Sequence, residues 1–160
     1  MIELVGDIWS YGNQPGSALV VPTNVGWRKD GTNPMGQGLA VQAATRYPQL
    51  PEVYGKFCQQ WKEQTPPVRI SIAKMNLILF PTKALNKQRP YQSWMSSSDI
   101  DFIEKNLEIL SRFPNSEKDL TQIIVPLLGC GRGGLEEEVV LPVLEKWLDN
   151  SIFKLIRQEA

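Results

Sequence analysis

The 160-residue sequence contains no histidine. This excludes Ser-His-Asp and Cys-His catalysis, and every metal site that needs imidazole. Only two cysteines are present, Cys58 and Cys130, which are too few for a Cys₃ or Cys₄ zinc site. One disulfide is conceivable, but such low cysteine use is more typical of a reducing compartment. We therefore predict no metal, no cofactor and a cytoplasmic location.

Long apolar runs and an excess of one charge are also absent. No window reaches the ~18 apolar residues of a membrane span, and residues 1–4 lack a basic leader region. Lys plus Arg number 17 and Asp plus Glu number 17, so zero net charge argues against a strongly basic binder of long nucleic acid. The length predicts one domain over residues 1–160. We expect a monomer with no membrane partner.

Strands and helices are predicted to alternate along the chain. The continuous apolar run Ala18-Leu19-Val20-Val21 is typical of a strand buried on both faces. Ser97 and Ser98 are candidate N-caps of a helix behind them. The other predicted strands are residues 2–9, 68–73, 76–81, 123–128 and 151–156, and the other helices are 39–47, 51–63 and 139–147. This order predicts a layered α/β domain with a mainly parallel sheet.

Two glycine-rich loops, residues 24–38 and 129–134, each leave a buried strand and open a helix. Ligands of such sheets bind at the carboxyl ends of the strands, and helix N-termini favour phosphate. Tight turns would explain either loop alone, but the two together favour a site that holds a diphosphate between them. Gly129, Gly131 and Gly134 fit G-x-G-x-x-G, yet too little chain follows for a Rossmann dinucleotide unit.

Lys83 follows a predicted buried strand, at the same end of the sheet as the glycine loops. A lysine there either supplies a countercharge or, with a lowered pKa, acts as a nucleophile. From spacing alone, a solvated basic loop is the better explanation. The basic residues Lys87 and Arg89, interleaved with Tyr91 and Trp94, would suit nucleic acid, although the aromatics would also serve to fold the loop onto the core.

Three motifs resemble the macrodomain family, in the expected order over nearly the whole chain. They are Gly6-Asp7-Ile8, residues 21–24 together with 34–40, and residues 125–135. The resemblance implies a three-layer α/β/α sandwich around a mixed, mostly parallel sheet, and binding of ADP-ribose. Met35-Gly36-Gln37-Gly38 and Phe80-Pro81-Thr82-Lys83 are most similar to the branch that contains DarG, a DNA ADP-ribosyl glycohydrolase, and the human terminal ADP-ribose protein glycohydrolase.

The resemblance also implies roles for individual residues. The Asp7 carboxylate would accept from the adenine amino group beside the Ile8 backbone, and Asn24 would lie near the distal ribose. Lys83 would act at the anomeric carbon of that ribose or orient the leaving group. Lys83 and Asn24 are thus the predicted catalytic residues. The predicted ADP-ribose-binding residues are Asp7, Ile8, Thr23, Asn24, Met35, Gly36, Gln37, Gly38, Leu128, Gly129, Cys130, Gly131, Arg132, Gly133 and Gly134.

Two departures from the family pattern keep alternatives open. The segment Cys130-Gly131-Arg132-Gly133 has no carboxylate where the human enzyme has an aspartate, and residues 27–31 lengthen the first loop. Our first hypothesis is a glycohydrolase that removes ADP-ribose from DNA or protein. A phosphatase for ADP-ribose 1″-phosphate and a non-catalytic sensor or sequestering module remain alternatives. Without a histidine to activate it, Cys130 is predicted to pack rather than react.

Overall fold

The computed structural model describes residues 1–157, apart from the side chain of Arg132. None of the helices in this range is long and apolar enough to cross a membrane. The strands are β1 (Ile2–Val5), β2 (Ser17–Asn24), β3 (Val68–Ile72), β4 (Met75–Lys83), β5 (Gln122–Val125) and β6 (Phe153–Arg157). The helices are α1 (Ile8–Gly12), α2 (Gly38–Arg46), α3 (Leu50–Trp61), α4 (Ile100–Leu110), α5 (Phe113–Ser116) and α6 (Glu137–Trp147).

The strands form one sheet in the order β1-β6-β5-β2-β4-β3. All neighbouring pairs are parallel except β3 and β4, which form an antiparallel hairpin. The two residues of its turn, Ala73 and Lys74, both have positive φ, as a tight two-residue hairpin turn requires. The predicted mixed, mostly parallel sheet is therefore confirmed.

Helices cover both faces of the sheet. Alternate residues of β2 enter two separate apolar cores, because successive side chains of a strand point to opposite faces. Leu19 and Val21 pack under α1, α2 and α3, whereas Ala18 and Val20 pack under α4, α5 and α6. All four side chains are fully buried. The arrangement is a three-layer α/β/α sandwich, as predicted, and burial of these two cores is the main source of its stability.

Several element boundaries differ from the prediction, and three of them lie at the carboxyl edge of the sheet. Residues 8 and 9 are helical rather than part of the first strand, because the Asp7 carboxylate accepts from the Trp9 amide and caps α1. The N-cap of α4 is Asp99, whose Oδ1 accepts from the Asp101 amide, and neither Ser97 nor Ser98. The strand predicted over residues 123–128 ends at Val125, so the following residues form a loop.

Candidate functional site

A cleft of about 560 Å³ opens where β2 and β4 end. Parallel strands bring their carboxyl ends to one edge of the sheet, so the loops that follow β2, β4 and β5 meet there. The structure brings most of the predicted site residues together in the lining of this cleft. They are Thr23, Asn24, Gly36, Gln37, Gly38, Lys83, Gly129, Cys130, Gly131 and Gly133.

Two asparagines shape the first loop of the cleft. Asn24 Nδ2 donates to the Pro34 carbonyl at 3.0 Å, and its Oδ1 accepts from the Gly26 amide at 2.9 Å. Asn33 Nδ2 donates to the carbonyls of Asn24, at 2.9 Å, and Gly26, at 2.8 Å. All these groups are buried, where an unmade hydrogen bond is costly. Asn24 therefore fixes the shape of the loop as well as lining the cleft.

The inserted residues 27–31 lie against α3. Gln59 Nε2 donates to the Gly31 carbonyl at 3.2 Å. Gly55 allows this close approach: a Cβ there would lie 2.8 Å from the Asn33 nitrogen and closer still to the Gly31 carbonyl oxygen. From this docked position Arg28 lines the cleft. The insertion thus adds a cation to the site instead of forming a separate lobe.

Lys83 is the last residue of β4 and pairs with Asn24 across an irregular step in the β2–β4 register. Its Nζ donates to the Trp94 carbonyl at 2.8 Å. Trp94 belongs to a 3₁₀ segment, Pro90–Met95, which folds back onto the first loop at Gly26. This fold-back holds Lys83 and Trp94 in the lining of the cleft.

The aromatic residues of the loop that follows Lys83 remain accessible to solvent. Tyr91 is 44% exposed and Trp94 is 39% exposed, so neither ring is part of the core. Lys87 and Arg89 of the same loop are also exposed. The loop folds back onto the first loop, yet its aromatic and basic side chains stay at the surface beside the cleft.

The second glycine-rich loop closes the opposite side of the cleft. It makes a 3₁₀ turn, Gly131–Gly133, and the Leu135 amide donates to the Gly129 carbonyl at 3.0 Å. Gly129 has φ +76°, a left-handed conformation that favours glycine, and a Cβ there would lie 2.7 Å from Ile103 Cδ1. The Ser98 amide donates to the Gly133 carbonyl at 3.1 Å and ties this loop to the start of α4.

Some predicted ligand-binding residues lie outside the cleft lining. Met35 and Leu128 belong to the apolar cores, and Leu127 lines the cleft in the place expected for Leu128. The reason is that β5 ends at Val125, so strand alternation no longer predicts which side chains face inward. Gly134 is outside the lining as well, and the Arg132 side chain lies outside the described part of the structure.

Asp7 and Ile8 follow β1 at the same end of the sheet but on its far side. Asp7 is exposed and Ile8 is buried at the start of α1. A smaller cleft of about 420 Å³ lies in this direction, lined in part by Ile156 and Arg157 of β6, the neighbour of β1. It shares Leu127 and Cys130 with the larger cleft, so the two adjoin.

Solved macrodomain structures have this architecture. The macrodomain of Thermus aquaticus DarG superposes with a TM-score of 0.73, at 21% identity, over 99% of this chain and 97% of that one. Thermosipho africanus DarTG in complex with ADP-ribose superposes with a TM-score of 0.75, at 24% identity, over 99% of this chain and 42% of that one.

The chain has the macrodomain fold.

Sequence comparison matches part of the chain to two curated proteins. The chain is 30% identical to the DNA ADP-ribosyl glycohydrolase of Mycobacterium tuberculosis in an alignment of 118 residues, and the match covers 66% of this chain. The DNA ADP-ribosyl glycohydrolase of Mycobacterium bovis matches to the same extent. The match spans only 29% of the length of these curated relatives. No family model matches the chain.

The charges of this macrodomain cleft favour an anion. Arg28 and Lys83 line it, whereas the described lining residues include no aspartate or glutamate. Two cations in the lining of one cleft raise the local concentration of phosphate-bearing ligands.

Cys130 is poorly suited to act as a nucleophile in this cleft. Partial burial raises the pKa of its thiol, and the carboxylates of Glu137, Glu136 and Glu138 raise it further. Because the thiolate is the reactive form, the thiol is disfavoured for attack at neutral pH.

Proposed function

We propose that this chain is an ADP-ribosyl glycohydrolase that binds ADP-ribose across the two adjoining clefts and cleaves the bond at the distal ribose. The observation that carries the proposal is the position of Lys83. It lies in the lining of the larger cleft, beside Asn24 and across from the second glycine-rich loop. The name of the curated relatives, DNA ADP-ribosyl glycohydrolase, supports the same reaction class.

The two clefts suggest how the ligand lies. We place the diphosphate against the loop of residues 129–134, because a glycine-rich turn lets backbone amides approach phosphate oxygens. The distal ribose then lies in the larger cleft near Asn24 and Lys83. The adenine lies toward Asp7, in the smaller cleft beside Ile156. In this pose Asp7 Oδ1 caps α1, and the other carboxylate oxygen accepts from the adenine amino group.

The reaction needs one proton donor or nucleophile at the distal ribose. Water supplies hydroxide to the anomeric carbon, the bond from that carbon to the modified group breaks, and the proton passes to the leaving group. We assign Lys83 Nζ one of two roles in this net reaction. As an ammonium it donates a proton to the leaving group and recovers one from the water that adds to the anomeric carbon. As an amine it attacks the anomeric carbon while the leaving group departs with a proton, and water then displaces the lysine and restores the amine. Its hydrogen bond to the Trp94 carbonyl holds the group in place.

The surface beside the cleft favours a nucleic acid substrate over a protein. Lys87 and Arg89 are exposed and suited to phosphate, and Tyr91 and Trp94 offer half-exposed rings on which bases stack. The zero net charge of the chain fits a short contact with single-stranded DNA better than a long duplex interface. We therefore propose ADP-ribosylated single-stranded DNA as the substrate, and an ADP-ribosylated peptide is the comparison in the assay.

Release of ADP-ribose from modified DNA tests the proposal. Lys83→Ala is expected to lower the rate by about 10²–10⁴-fold while ADP-ribose binding persists, since general acid–base groups contribute on that scale. Lys83→Arg keeps the positive charge but neither attacks as an amine nor readily donates a proton, so a rate near that of Lys83→Ala indicates one of those two roles and a partial rate indicates that the charge alone contributes. Wild-type protein that binds ADP-ribose but releases none from DNA or peptide would contradict the enzyme assignment.

A non-catalytic sequestering module is the second candidate. The observation that favours it is the lack of a carboxylate among the described residues of the cleft lining, which leaves no such group to activate water. The same assay separates the two functions, because this candidate predicts binding of ADP-ribose with no release by the wild-type protein.

A further inference from the structure

One buried hydroxyl in the cleft lining is not used by the fold. Ser98 is 7% exposed and lines the larger cleft. Its Oγ has no hydrogen-bond partner within residues 1–157. Buried polar groups are nearly always paired, so a buried hydroxyl that faces a ligand cleft without a partner points to a ligand atom.

Ser98 has no structural task that would explain its hydroxyl. It precedes α4, but the cap of that helix is the Asp99 carboxylate, which accepts from the Asp101 amide at 2.9 Å. The Ser98 backbone does have a role, since its amide donates to the Gly133 carbonyl. The side chain is therefore separable from the contacts that build the site.

The hydroxyl lies against the second glycine-rich loop. A Cβ at Gly133 would lie 3.1 Å from Ser98 Cβ and closer still to its Oγ, and a Cβ at Gly129 would also lie 3.1 Å from Ser98 Cβ. Glycine at both positions makes room for Ser98 at this point. The hydroxyl thus stands beside the turn Gly131–Gly133, on the side of the cleft where the diphosphate is placed.

We propose that Ser98 Oγ donates a hydrogen bond to a phosphate oxygen of the bound nucleotide diphosphate and so selects ligands with that group. The inference rests on the proposed function, because it takes a nucleotide diphosphate as the ligand. A phosphate oxygen is a charged acceptor, which makes the hydrogen bond stronger than one between neutral groups. Arg28 and Lys83 in the same lining favour the negative charge.

Calorimetric titration of Ser98→Ala with ADP-ribose and with ADP tests this role. Loss of a hydrogen bond to a charged group predicts about tenfold or more weaker binding of both ligands, by the same factor. Ser97→Ala is the matched control, because Ser97 is the adjacent serine and is exposed, and it is expected to bind like the wild type. Ser98→Cys replaces the hydroxyl by a slightly larger thiol, which is a weaker donor, and is expected to fall between Ser98→Ala and wild type.

The thermal midpoints of the same variants separate binding from folding. Ser98→Ala is expected to unfold at the wild-type temperature or higher, since it removes an unpaired buried hydroxyl. Unchanged affinity, a loss for ADP-ribose but not for ADP, or a lowered midpoint in both Ser98→Ala and Ser98→Cys would overturn the proposal. Wild-type protein that binds neither ligand would instead overturn the proposed function, and the role of Ser98 with it.

Discussion

Replacing Gly55 by alanine tests how the first loop of the cleft is held. Gly55 lies in the middle of α3, where alanine is ordinarily the better helix former by about 1 kcal/mol. An added Cβ would, however, lie 2.9 Å from the Gly31 carbonyl carbon and 2.8 Å from the Asn33 nitrogen, and closer still to the Gly31 carbonyl oxygen. The helix preference therefore predicts a higher free energy of unfolding for Gly55→Ala, and the steric clash predicts a lower one.

We expect the steric clash to outweigh the helix preference. The obstacle is backbone rather than the end of a flexible side chain, so residues 31–33 must move away from α3. Such overpacking costs about 1–3 kcal/mol or more, and the hydrogen bond from Gln59 to the Gly31 carbonyl, worth about 1 kcal/mol, is lost with it. After the helix gain is subtracted, the free energy of unfolding should fall by about 2 kcal/mol. Because Asn33 Nδ2 donates a hydrogen bond to the Asn24 carbonyl, the displacement of residues 31–33 should also reach the cleft.

Urea denaturation and ADP-ribose titration of Gly55→Ala measure both effects. The midpoint of urea unfolding should fall and ADP-ribose binding should weaken. Gln59→Ala is the matched control, because it removes the hydrogen bond to Gly31 without inserting an atom between helix and loop. Its expected loss is about 1 kcal/mol with little change in affinity. A Gly55→Ala protein that is more stable than wild type and binds ADP-ribose equally well would refute the reasoning.

Three further results are expected. Tyr54→Phe removes the buried 2.7 Å hydrogen bond between Tyr54 Oη and Thr23 Oγ1. The free energy of unfolding, measured in urea, should fall by about 1–2 kcal/mol, and an unchanged value would contradict a stabilising role for this hydrogen bond. Cys130 should resist iodoacetamide at pH 7, because burial and nearby glutamates raise the pKa of its thiol, and fast alkylation followed by mass spectrometry would count against this. A hydrogen bond from Arg69 lowers the pKa of Asp119 from its ordinary value of 3.8, and a hydrogen bond from Arg157 lowers the pKa of Glu137 from 4.5. The two ion pairs therefore stabilise the folded protein above these pH values, and this stabilisation is lost as the pH falls below them. Thermal midpoints measured from pH 7 to pH 3 should therefore drop at the acid end, and Asp119→Asn should drop less than wild type.

Local patterns in the sequence predicted the fold and the loops that line the cleft. The apolar run Ala18-Leu19-Val20-Val21 indicated a strand buried on both faces, and it forms the centre of the sheet. Glycine-rich segments after buried strands indicated the loops at residues 24–38 and 129–134, and both line the cleft. These features depend on burial and periodicity within one short segment, which is why they can be recognised from sequence.

Features set by contacts between distant segments could not be predicted in the same way. Nothing in α3 indicates that Gly55 faces the carbonyl of Gly31, and nothing near Gly26 indicates the segment Pro90–Met95 that packs on it. Ser98 matched a helix cap as well as Asp99 does, and only the position of Gly133 reveals that its hydroxyl belongs to the cleft.

The start of α1 is a different case, because a local signal was present. An aspartate directly before an apolar pair is an N-cap pattern, yet residues 2–9 were predicted as a single strand.

Calorimetric titration with ADP-ribose of the wild type and of Gly36→Val tests the central claim most directly. Gly36 lines the cleft, its φ is not positive, and a Cβ there would meet open space, so valine should fill the cleft without disturbing the fold. We predict 1:1 binding by the wild type and at least about tenfold weaker binding by Gly36→Val at an unchanged thermal midpoint. The absence of binding by the wild type, or equal affinity in both proteins, would contradict the assignment of this cleft as the ADP-ribose site.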